Sequence, residues 1–157
     1  MAIARVNYEG LRDSIIDLLS ANSGTDGLDY NLKTAVKQIK AGNAFTTPVP
    51  TTMYPTVLVR VDSKAEKFVT IGGGRKEVDI VFTIFGMVRV LTSAEESDEE
   101  AMQLADNVEK IFRDNINITN NFDYTNPELT EFGLAETKGG TFVSLASIRI
   151  KGTKRIQ

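Results

Sequence analysis

The run from Val78 to Leu91, VDIVFTIFGMVRVL, is apolar on both faces when read as one long β-strand. Val78, Ile80, Phe82, Ile84, Val88 and Val90 form one stripe, interrupted at Gly86. The alternate positions carry Val81, Phe85, Met87 and Leu91, diluted by Asp79, Thr83 and Arg89. A strand with one face in water alternates apolar with polar residues, so this one needs cover on both sides. The second cover comes either from the chain's own helices or from a neighbouring subunit.

A length of 157 residues, 41% of them hydrophobic and 25% charged, suits one domain with a real core, and residues 1–157 are read as that domain. No apolar run approaches the ~20 residues of a membrane-spanning helix. The opening MAIARVNYEGLRDSII lacks the apolar segment and cleavage site of a secretory signal, so the chain is expected to act in the compartment that makes it. Asn117-Ile118-Thr119 is then a chance glycosylation match.

The chain has no cysteine, histidine or tryptophan. Without cysteine there are no disulfides, thiolate nucleophiles or thiolate metal sites. Without histidine the commonest general base and transition-metal ligand is missing. His-based triads and His-ligated zinc catalysis are excluded, which leaves only carboxylate or lysine chemistry to an enzyme. The chain is read as a non-enzyme with no cofactor and no metal.

Charge is segregated. Residues 1–92 sum to +2, residues 93–136 to −10 and residues 137–157 to +5, within a net charge of −3. Opposite patches of this kind steer one face of a subunit onto the opposite face of another, or else remain solvated.

Apolar spacing at Leu11, Ile15, Leu18 and Leu19 predicts a helix over Tyr8–Ser20, ended by Ala21-Asn22-Ser23-Gly24. Residues 30–41 fit either a helix, through Leu32, Ala35, Val36 and Ile39, or a short edge strand over Ala35–Lys40. Thr46–Thr52, with two prolines, is an extended loop. Pro55–Asp62 is a strand, Phe68–Ile71 begins another, and Gly72-Gly73-Gly74-Arg75-Lys76 turns into the long strand. Ser97 with Glu100 three residues on is a capping box for a helix reaching Asp114, with Ala101, Leu104, Ala105, Val108, Ile111 and Phe112 inward. Asn115–Thr130 is a polar loop, and Phe132–Lys151 forms two strands around Lys138-Gly139-Gly140. The sum is an α+β fold: a largely antiparallel or mixed sheet with helices packed on one face.

Motif chemistry adds little. The Gly72–Gly74 turn precedes a strand rather than a helix and lacks a Lys-Ser/Thr ending, so it is not a phosphate loop. Arg75 and Lys76 there can serve as contacts. The acidic run Glu95–Glu100 lacks the ligand alternation of a calcium loop and fits a helix start. The basic end, Arg149 to Arg155, has no interleaved aromatics and suits docking on an acidic surface better than nucleic acid.

The order of elements, with the segments YPTVLVRV, VDIVFTIFGMVRV, SDEEAMQLADNVEKIFRDN and TFVSLASIRIKG, resembles the tail terminator (tail-completion) proteins of tailed bacteriophages over about Tyr8–Lys151. The resemblance rests on element order, length and texture. It implies a hexameric ring on the head-proximal end of the tail tube, formed in the host cytoplasm and retained in the virion. Its implied partners are further copies of itself, the tail tube protein and a neck or head-completion protein, with a sheath protein if the tail contracts. DNA only passes through the channel, and no membrane is involved. The candidate interface residues are Val81, Phe85, Met87, Arg75, Lys76, Glu95, Glu96, Lys151, Lys154 and Arg155. The alternatives are a neck, head-completion, minor tail or baseplate protein, or a small carboxylate-dependent cytoplasmic enzyme.

Overall fold

The computed structural model describes residues 6–68, 76–90, 93–118, 121–138 and 141–156. Helix α1 (Tyr8–Ala21) is followed by strands β1 (Gln38–Ala41), β2 (Thr56–Phe68) and β3 (Lys76–Val90), helix α2 (Ala94–Asp114), and strands β4 (Tyr124–Lys138) and β5 (Thr141–Ile156). The strands form one sheet in the order β1-β2-β3-β5-β4, all pairs antiparallel except β1 with β2. This is the expected α+β fold with a mixed sheet.

Both helices pack on the face of β3 that carries Val78, Ile80, Phe82, Ile84 and Val88, all fully or almost fully buried. Leu11, Ile15, Leu18 and Leu19 supply the α1 side of that core. Leu104, Ala105, Val108, Ile111 and Phe112 supply the α2 side. Phe82 lies at its centre, with ring centroids 5.7 Å from Phe112 and 6.1 Å from Phe122. Phe122 in turn lies over β5 at Gly152, where an added Cβ would come within 2.5 Å of the ring. Glycine is required there by close approach rather than by backbone angle.

The sequence leaves residues 30–41 between helix and strand; in the structure only Gln38–Ala41 form a strand, the short edge strand β1, and residues 30–37 are turn and irregular, with Leu32, Val36 and Ile39 packed against the helix-side core. Asn107 of α2 holds the preceding loop, its Nδ2 donating to Leu28 O at 2.9 Å and Tyr30 O at 2.7 Å.

Several boundaries differ from the sequence reading. Phe68 does not begin a new strand but ends β2, which pairs with β3 through Phe68↔Lys76. Residues 69–75, with the glycine turn and Arg75, lie outside the described residues, as do Leu91 and the Gly139-Gly140 pair. The Asn115–Thr130 stretch is not loop throughout, because β4 starts at Tyr124 and includes Pro127. Proline is tolerated there because β4 is an edge strand. Both final strands run further than Phe132–Lys151.

The capping serine is also corrected. Helix α2 starts at Ala94, and its cap is Ser93, whose Oγ accepts from Glu96 N at 3.1 Å. Ser97 is buried instead and donates to Ser144 Oγ at 2.6 Å, which donates to Asp98 Oδ1 at 2.7 Å. The two serines are therefore expected to fail differently. Ser93→Ala should cost about 1 kcal/mol, nearly all recovered by Ser93→Gly, since glycine is a fair cap. Ser97→Ala should cost about 1–3 kcal/mol by stranding a buried hydroxyl network, with no recovery in Ser97→Gly. Urea denaturation of the four variants separates the roles. Equal recovery by glycine at both positions would refute the assignment.

Candidate functional site

The face of β3 opposite the helices divides in two. Toward one end, Phe85 and Met87 are each 5% exposed and cluster with Leu58 of β2 and Val143 and Leu145 of β5. The register explains the cluster, since Leu58 lies opposite Phe85 and Leu145 opposite Met87. Their cover is the segment between β1 and β2. Ala44, Val49 and Tyr54 pack against the cluster, and the Phe45 ring meets Phe85 edge-on at 6.2 Å. The helices lie on the opposite face, and the segment between β1 and β2 supplies a cover from within the chain that the sequence reading did not anticipate. Phe45 itself is 78% exposed.

Toward the other end the same face is polar. Val81 is half-buried and lies opposite Lys151, whose Nζ is 3.6 Å from Asp79. Glu77 draws Lys67 at 3.1 Å and Arg155 at 3.9 Å. The basic end of the chain is thus partly neutralised by acids of its own β3. The Glu77 hydrogen bond raises the Lys67 ammonium above its ordinary range.

The other sequence-nominated residues are dispersed. Lys76 pairs with Glu66 at 3.4 Å and lies over the Phe68 ring, on the helix side of the sheet. Lys154 also faces the helix side, in a groove of about 320 Å³ lined by Val6, Asn7, Gly10 and Asn121. Glu95 is exposed in the first turn of α2, and Glu96 pairs with Lys33. Arg75 lies outside the described residues. The candidates therefore form no single site. Only Val81, Phe85, Met87, Lys151 and Arg155 share a face, and Phe85 and Met87 are covered.

The sequence reading missed the sheet edges. β1 pairs only with Thr56–Val59 of β2, and Gly42 N adds a bond to Val59 O at 3.0 Å. Beyond that point, among the described residues, the outer edge of β2 has no backbone partner. A groove of about 900 Å³ opens there, between Tyr8 and Arg12 of α1, Asn43 and Thr47 of the loop, and Arg60 and Val61 of β2. At the opposite end of the sheet, among the described residues, β4 pairs only with β5 and its other edge has no backbone partner, with Tyr124, Leu129 and Phe132 each about half exposed.

Among the described residues no group of acids could hold a metal ion, and no helix is long and apolar enough to cross a membrane. Glu100 is buried on α2, and burial pushes its carboxyl above the usual range while Lys33 pulls it down. It lines neither groove. A carboxyl whose pKa is raised by folding favours the folded state at low pH, and that contribution is lost as pH rises through its folded pKa. Glu100→Gln, neutral at every pH, is expected to raise the melting temperature at neutral pH. The gain should vanish in acid, below the ordinary Glu pKa of about 4.3. Thermal melts across pH test this, and a gain that persists in acid would be inconsistent with it.

No protein-family model matches the chain, and no curated protein sequence matches it either.

Proposed function

We propose that the chain is a tail terminator of a tailed bacteriophage, a structural protein whose copies form a ring on the head-proximal end of the tail tube. The ring ends tube polymerisation and offers the neck its joining surface. What supports the reading is the succession α1, β2, β3, α2 and β5, the elements that carry the segments on which the resemblance rests. The chemistry is compatible with it: the chain has no histidine or cysteine, and among the described residues its sheet ends in edges without backbone partners, which suit assembly. The partners are further copies of the chain, the tube protein and a neck protein, with sheath contact if the tail contracts.

The test is assembly with tube protein. Tubes polymerised alone should be of indefinite length, and adding this chain should shorten them and place a ring at one end in electron micrographs. Unchanged tube lengths and bare ends would remove the reading. A neck or head-completion protein would instead bind preformed connectors, and labelled virions distinguish the two.

A further inference from the structure

The two open sheet edges fit each other, and we infer that the edge of β4 docks along the outer edge of β2 of a second copy, beyond the end of β1. The inference deepens the ring reading by naming its subunit contact and rests on that reading for closure into a ring.

Direction is the first argument. β2 is antiparallel to β3, β3 to β5 and β5 to β4, so β2 and β4 run in opposite directions. A second copy that continues the sheet in the same orientation therefore brings its β2 antiparallel to β4, the slightly more stable pairing per residue. The helices of both copies then stay on the same side. Such a contact joins two different surfaces, and heterologous contacts propagate into rings or filaments.

Regularity is the second. β4 carries register irregularities between Pro127 and Leu129 and between Leu134 and Glu136, so the stretch Leu129–Leu134 is regular between two interruptions. β2 has its irregularity between Val61 and Ser63, which leaves Ser63–Phe68 regular. Bulges and prolines block unwanted edge pairing, so each edge keeps one usable window, and the two windows are of equal length. Antiparallel overlap of the windows sends the end of β4 toward the groove beside Arg60 and Val61.

Charge and apolar surface are the third. The exposed β4 side chains in this window include Glu131 with Leu129 and Phe132, and no base. The β2 edge and its groove present Arg12, Arg60, Lys64 and Lys67, offset by Glu9 and by the acids that already pair with three of them, Asp62 with Arg60, Glu66 with Lys64 and Glu77 with Lys67, so a Glu131 brought beside Lys67 shares that base with Glu77. Only two registers keep the faces matched over most of both windows. They place Glu131 either directly opposite Lys67 or diagonal to it, at distances where cross-strand pairs interact.

The absence of cysteine makes the test clean. Ala65 is exposed, and a Cβ added at Gly133 meets nothing within 4 Å, so Ala65→Cys and Gly133→Cys should leave the fold intact. Both positions face away from the helices and become directly opposite or diagonal in the two registers. The single-cysteine variants are treated with a bismaleimide separately and mixed, beside native mass measurement and electron microscopy. A covalent dimer in the mixture and in neither variant alone is the expected result. Self-linking of Gly133→Cys would mean that β4 pairs with β4 in a closed two-fold dimer, and would overturn the inference. A persistent monomer, or rings that do not cross-link in the mixture, would overturn it as well. Rings that cap tubes without the cross-link would leave the terminator reading standing. Cross-linked assemblies that never affect tube length would keep the contact and remove the terminator reading.

Discussion

Phe82→Ala is expected to destabilise the protein by about 3–5 kcal/mol, the range for emptying a fully buried aromatic site. For a chain of this size that corresponds to a fall in melting temperature of roughly 6–20 °C. Phe82 has no exposed surface and belongs to the helix-side core cluster. Its ring lies against Phe112 of α2 and Phe122 of the turn before β4, while its strand binds β2 and β5 on either side. The cavity cannot collapse easily, because Phe122 is already set by contact with Gly152 and Phe112 is fixed on a helix. Phe82→Leu, which keeps most of the volume, should lose much less. Equilibrium urea unfolding gives both numbers. A loss below about 1 kcal/mol for the alanine variant would mean that the centre of the core lies elsewhere.

The legibility of this fold in its sequence followed the range of the interactions involved. The α1 stripe Leu11, Ile15, Leu18 and Leu19 repeats at helical spacing, and all four residues are buried as expected. The helix-side stripe of β3 was equally plain, because alternation is a local property. The cap of α2 was not, because Ser93-x-x-Glu96 and Ser97-x-x-Glu100 both satisfy the capping pattern. What separates them is Ser144, distant in sequence, which takes Ser97 into a buried hydroxyl network. The start of β4 was hidden by Asn126-Pro127, whose composition signals a turn but is admissible on an edge strand.

The candidate site was legible only in outline, for the same reason. The charges of Lys151 and Arg155 were visible, but their partners Asp79 and Glu77 follow from the β3–β5 register, which no local pattern encodes. The open edges of β2 and β4 depend on strand order and bulge position, which are global properties. The long strand's demand for a second cover was correctly readable, but the cover was not. Ala44, Phe45, Val49 and Tyr54 are scattered among prolines and threonines with no period to mark them as core.

Phe85→Ser tests that cover directly and is expected to cost about 3–5 kcal/mol, as for other buried aromatic truncations. Phe85 is 5% exposed, faces Leu58 across the strand pair and receives the Phe45 ring edge-on. The substitution removes the ring from both the sheet-side cluster and the loop that lies on it, so a second effect should accompany the first. The segment between β1 and β2 loses its anchor, and protease cleavage within 42–55 should rise under conditions where the sheet is still folded. Two comparisons locate the effect. Phe45→Ala should cost well under half as much, because most of that ring is already in water. Val81→Ser should cost about 1 kcal/mol or less, because Val81 is half-buried beside the Asp79–Lys151 pair rather than under the loop. A Phe85→Ser chain that melts like the parent yet no longer assembles would reverse the conclusion: the face would then be a subunit contact, and the loop only its rim. Loss of stability in the unassembled chain, with cleavage confined to 42–55, assigns the second cover to the chain itself and leaves the open strand edges as the surface through which copies meet.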